Sequence, residues 1–224
     1  MFKTLGTATI FALAVGAAQA AVLDLESGYS ADITPIIGNE FEAGFGVTFF
    51  STSGLNIVKV GGPLDGFVPN DTPNPADAFG DFFLTSDFGR TTDLTITYTT
   101  PVAETSFDVG DIDGSGTQLE EFTFLALDAD GNVLASRFVD GNDPEAGDAA
   151  VTRIGFSGLS GLIAKIDIAG STPGGSRLIG IAFDNFNTTI DNTGGTTPVP
   201  LPAGLPLAAA AFGALGLLRV RRKA

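Results

Sequence analysis

The 224-residue chain contains no cysteine, no histidine and no tryptophan, and only two tyrosines. Without cysteine there are no disulfides, so the fold must stand on packing alone. Without cysteine or histidine there can be no Ser-His-Asp or Cys-His catalytic unit, and no zinc or haem held by those side chains. No zinc, haem or nucleotide cofactor is expected. Any metal must be a hard cation held by oxygen, with calcium the natural candidate. Positive charge is scarce too: 11 Lys and Arg stand against 26 Asp and Glu. Six of those basic residues (Lys59, Arg90, Arg137, Arg153, Lys165, Arg177) and all 26 acidic ones fall between residues 21 and 198, a net of −20 for that stretch. Such a field repels nucleic acid and anionic headgroups, attracts divalent cations and favours solubility.

What is present is most informative at the two ends. Residues 1–20 carry Lys3, an apolar run from Ile10 to Ala18, and then Ala18-Gln19-Ala20 before Ala21. A basic start, a short apolar core and a small-x-small site form a secretory signal peptide, with cleavage expected between Ala20 and Ala21. At the other end, no residue from Val199 to Leu218 is charged. Twenty residues at a rise of about 1.5 Å cover about 30 Å, enough to cross a bilayer as a helix. Arg219, Arg221, Arg222 and Lys223 follow at once. The positive-inside rule puts them in the cytoplasm and the acidic stretch outside. Thr188–Pro198 reads as a polar linker between that stretch and the membrane.

The run Val199-Pro200-Leu201-Pro202-Ala203, the Gly/Ala/Leu-rich span and the terminal basic cluster resemble the VPLPA-CTERM sorting signal, a relative of PEP-CTERM. The resemblance covers residues 199–224. It implies a substrate of an exosortase, a membrane protease-transpeptidase of Gram-negative bacteria. The chain would be exported and anchored in the cytoplasmic membrane with its ectodomain in the periplasm. It would then be passed to the cell surface or the exopolysaccharide matrix.

Between the ends, residues 21–187 alternate short apolar runs with Gly, Pro, Asn and Asp. Candidate strands are Val22–Glu26, Gly46–Ser51, Asn56–Val60, Phe79–Thr85, Asp93–Thr99, Thr105–Val109, Glu121–Asp128, Val133–Phe138, Thr152–Phe156, Leu162–Ala169 and Leu178–Phe186. Asp93–Thr99 alternates with period two, the mark of a half-buried strand. Asp128-Ala129-Asp130-Gly131-Asn132 reads as a hairpin turn. No amphipathic helix stands out. The pattern predicts an all-β fold, an antiparallel β-sandwich, between a signal helix and a transmembrane helix. The core is expected to hold Phe49, Phe107, Phe122, Phe124, Phe156 and Phe183. Gly61–Ala78 and Asp140–Ala149 read as long loops, the second strongly acidic.

The densest polar segment runs from Asp108 to Glu121. Asp111 and Asp113, followed by Ser115 and Gly116, resemble the opening of a calcium loop. Ser115 and Phe122 stand where an EF-hand needs a further ligand and its bidentate Glu, so an EF-hand is excluded. The segment remains either a looser calcium site or a solvated turn. Leu23-Asp24-Leu25-Glu26, Gly46-Val47-Thr48-Phe49 and Ile181-Ala182-Phe183-Asp184-Asn185-Phe186 resemble a jelly-roll, carbohydrate-binding-module-like sandwich. That resemblance implies a structural calcium tying the first strand to the last, through Asp24 or Glu26 and Asp184. The expected function is a non-catalytic surface or matrix protein that touches exopolysaccharide. The alternative is a calcium-dependent carbohydrate-binding module. A carboxylate-based glycoside hydrolase stands third, because no acid pair is singled out.

Overall fold

The computed structural model describes residues 22–62, 73–86, 91–174 and 179–187. The chain divides into two units, Met1–Ile190 and Asp191–Ala224, and the described residues all belong to the first. The signal-cleavage residues Ala18, Ala20 and Ala21, the linker, the Val199–Ala203 motif, the apolar span and the basic cluster lie outside the described residues. So do residues 63–72 of the proline-rich loop. Among the described residues no helix is long and apolar enough to cross a membrane.

The strands are β1 (Val22–Leu23), β2 (Ile33–Ile36), β3 (Val47–Phe50), β4 (Leu55–Lys59), β5 (Phe82–Ser86) and β6 (Thr91–Val102). They continue with β7 (Thr105–Gly110), β8 (Glu121–Leu127), β9 (Val133–Asp140), β10 (Val151–Phe156), β11 (Ile163–Ser171) and β12 (Ala182–Asn187). They form two sheets whose named strands pair antiparallel. One has the order β10-β7-β12-β5-β4-β2, with β1 also on β12; the other is β3-β6-β11-β8-β9. The all-β sandwich expected from the periodicity is what the residues form.

Two differences from the sequence reading have clear physical causes. Strand β2 contains Pro35 and was not expected. It lies at a sheet edge, where a missing N–H removes no ladder bond. Strand β1 stops after Leu23, short of the expected Glu26. Leu25 has φ 56, and Glu26 turns away to accept the backbone N–H groups of Asp81 (2.9 Å) and Phe82 (3.3 Å).

All six expected core phenylalanines are buried, none more than 5% exposed. Phe49 and Phe107 both meet Phe186, with ring centroids 4.7 and 5.9 Å apart, in the range where aromatic pairs attract. Removing one such ring costs about 3–5 kcal/mol in a packed core. Gly170 makes room for this packing: a Cβ there would lie 2.3 Å from the Phe122 ring.

The outer faces of the two sheets differ, and this decides where a ligand can reach. Strand β5 is buried along its whole length. Phe82 and Leu84 join the central core, while Phe83 packs on the other side with Val58, Phe79 and Ala182. Over β4, β5 and β12 that side is therefore covered, while Arg153 and Gly155 of β10 stay exposed. On the five-stranded sheet, Leu94, Ile96 and Tyr98 of β6 point inward, whereas Asp93, Thr95 and Thr97 are half-buried or exposed.

Candidate functional site

Strands β7 and β10 bring one acidic group together. Their register sets Val151 opposite Gly110, so the loop ahead of β10 runs beside the residues after β7. Backbone bonds lock the two segments: Gly147 N–H donates to Ile112 O (2.8 Å) and Asp111 N–H to Ala150 O (2.9 Å). Asp111 Oδ1 accepts the N–H of Ala149 at 2.9 Å. Gly141 lies so close that a Cβ would sit 2.2 Å from Asp113 O. As a result Asp111, Asp113 and Asp148 place ligand oxygens within 4.8 Å of one another. Asp111 and Asp113 are buried and Asp148 is exposed. Glu120, fully buried, accepts the Asp113 N–H at 3.3 Å. Hard carboxylate oxygens at this spacing could hold a cation such as calcium.

Asp24, Glu26 and Asp184 lie around β1 and β12. Among the described residues they do not form a second group of three with converging ligand atoms. They do share a field. Asp184 is 1% exposed and its Oδ1 has no hydrogen-bond partner. Burial pushes its pKa up to about 9; the Asn185 N–H opposes the rise, and Glu26, Asp108 and Asp24 add to it. Asp108 faces Asp184 in register and accepts Arg153 Nη1 at 2.9 Å and Asn185 Nδ2 at 3.0 Å. Burial still raises the Asp108 pKa, with the Arg153 charge and these hydrogen bonds only partly offsetting it.

Asp128 is taken up by its own turn. Its carboxylate accepts the N–H groups of Asp130 and Asn132 and the Asn132 side-chain amide, closing the expected β8–β9 turn. Those bonds lower its pKa.

A cleft of about 570 Å³ crosses the open face of the five-stranded sheet, within the size range of ligand sites. Asp93, Ala169, Thr123 and Phe138 follow one another across β6, β11, β8 and β9. The next row runs Phe50, Thr95, Asp167, Leu125 and Ser136. Phe50 and Phe138 are 60% and 55% exposed, far above the core rings. They stand at opposite edges of a floor of hydroxyls, small side chains and carboxylates. Phe138 also lines a second cleft of about 310 Å³ beside Arg137 and Pro144.

Solved structures similar to this chain include two carbohydrate-binding modules. One similar structure is TmCBM61 in complex with β-1,4-galactotriose: 14% identity, TM-score 0.39, covering 69% of this chain and 97% of that one. Another is Caldicellulosiruptor saccharolyticus CBM27-1 in complex with mannohexaose: 13% identity, TM-score 0.37, covering 77% and 97%. A third is a DUF4465 family protein from Bacteroides caccae: 12% identity, TM-score 0.40, covering 75% and 97%. The likeness is one of fold alone. No family model matches the sequence, and no curated protein matches it significantly.

Sequence reasoning found Asp111 and Asp113 but left Asp148 in a charged loop. Only the β7–β10 register brings it 35 or more positions back to them. The exposed Phe50 and Phe138 were also missed. Each sits in a strand pattern that reads equally well as core.

Proposed function

We propose that this protein is an exported, non-catalytic surface or matrix protein whose β-sandwich binds polysaccharide across the open face of its five-stranded sheet. The observation that carries this is the cleft itself: the exposed Phe138 beside a floor of threonines and carboxylates, with Phe50 exposed at the opposite edge of the same sheet. Sugars present apolar C–H faces to rings and hydroxyls to polar side chains, and this surface offers both. Calcium is the proposed structural ion, at Asp111, Asp113 and Asp148.

The non-catalytic reading draws support from Asp93, whose oxygens are taken up by Ser51 Oγ and by the N–H and hydroxyl of Thr52. Those three bonds tie Asp93 to the β3–β4 turn. Titration calorimetry against neutral polysaccharides tests the binding reading. Phe138→Ala is expected to weaken a bound polymer roughly tenfold, the equivalent of about 1.4 kcal/mol. Undiminished binding would move the site elsewhere, and release of reducing ends from the bound polymer would revive the hydrolase.

The C-terminal sorting proposal is separate. A mature protein from the native cell should end near Val199–Ala203 if an exosortase-type enzyme processes it. Mass spectrometry that finds Arg219–Ala224 still attached in the surface or matrix fraction would discard that step.

A further inference from the structure

The charge lining the cleft bears on which glycan it accepts, given that it binds glycan at all. Among the described residues, no Lys or Arg lines it. Lys165, on the same face, is bonded to Asp167 at 2.8 Å. The Asp93 oxygens accept from the Ser51 hydroxyl and from the Thr52 N–H and hydroxyl. Glu121 lies directly opposite Ser171 on one side and Asp140 on the other. Asp140 thus sets a second acidic residue beside Glu121 at this end of the cleft, and like charges in directly opposite strand positions repel. The remaining polar groups there, Thr123 and Ser171, are hydroxyls that can donate or accept.

We infer that the ligand is an uncharged polysaccharide and that Glu121 makes the cleft reject uronate-bearing chains. A neutral sugar hydroxyl can donate to a carboxylate, forming a charge-assisted bond. A uronate brings a second carboxylate that can only accept, so it meets Glu121 and Asp93 with repulsion, and the cleft's donors are neutral hydroxyls with no charge to offset it. At about 4 Å in a water-like medium that repulsion is worth about 1 kcal/mol, or roughly fivefold in affinity. Salt screens it.

The test uses full-length protein in mild detergent and matched pairs of β-1,4-linked glucan, mannan and galactan oligosaccharides, each native and oxidised at C6 to the uronate. At low salt, the oxidised form of a bound sugar should bind roughly fivefold or more weakly. The ratio should shrink in high salt and shrink again in Glu121→Gln. Should the variant fold poorly, the salt series on the parent protein still decides the matter. An oxidised form that binds as tightly as its neutral parent overturns the charge inference while leaving the glycan reading in place. So does a ratio indifferent to salt. Silence from every polymer in both forms overturns the glycan reading, and this inference with it.

Discussion

With calcium chelated, Asp184→Asn should be more stable than the parent protein at neutral pH, by about 2–4 kcal/mol. The folded protein holds Asp184 buried beside Glu26, Asp108 and Asp24, and its pKa rises to about 9 from an ordinary 3.8. Ionising it inside the fold costs far more than ionising it in the unfolded chain. A group whose folded pKa is raised lends its full stability below the unfolded value, near pH 4. That stability drains away as pH climbs through the folded value, near 9. The gap between variant and parent should therefore vanish below about pH 4 and widen as pH rises, because asparagine removes the titration. Melting curves of both proteins across this range, in chelator, make the comparison. A variant that melts lower at neutral pH would mean that the ionised carboxylate is well satisfied in the fold, and the account of its burial would be wrong.

Calcium should raise the melting temperature of the parent protein by about 5–10 °C over chelator at equal ionic strength. A cation at a hundred times its dissociation constant adds about 2.7 kcal/mol to a fold that alone binds it, and each kcal/mol moves the midpoint of a domain this size by about 2–4 °C. The effect should depend on Asp111, Asp113 and Asp148, whose oxygens gather within 4.8 Å. The double variant Asp113→Asn, Asp148→Asn should lose most of the calcium response. In chelator it should be at least as stable as the parent, because it relieves carboxylate repulsion. A parent protein whose melting curve ignores calcium, or a double variant that responds in full, would remove calcium from this loop pair. The two experiments also cross-check each other. If Asp184 takes part in holding calcium, the Asp184→Asn advantage in chelator should turn into a disadvantage in calcium.

Much of the fold could be read before any tertiary information. The alternation of Asp93–Thr99 gave its inward and outward faces correctly, since a strand's period of two leaves only the choice of which set is apolar. The six core phenylalanines were found because rings between turn signals in an acidic chain have few other places to go. Pro35 misled because proline counts against a strand unless the strand is at an edge, and edge position is a tertiary property. Phe138 shows the limit from the other direction. Within β9 it looks like core, yet its side chain stands on the outer face at 55% exposure.

Composition and periodicity alone were enough to establish an acidic β-sandwich that cannot use histidine or cysteine for chemistry. They work because absent side chains and a two-residue repeat are local facts, independent of what the chain meets later. Which sheet keeps an open face, and which aspartates converge, was settled by packing. Covering one face takes residues from several elements, as where Phe79 and Phe83 pack with Val58 of β4 and Ala182 of β12. Bringing Asp148 to Asp111 takes a strand register between residues far apart in sequence. Such long-range pairings are chosen by the burial they achieve together, and no short stretch of residues carries that information.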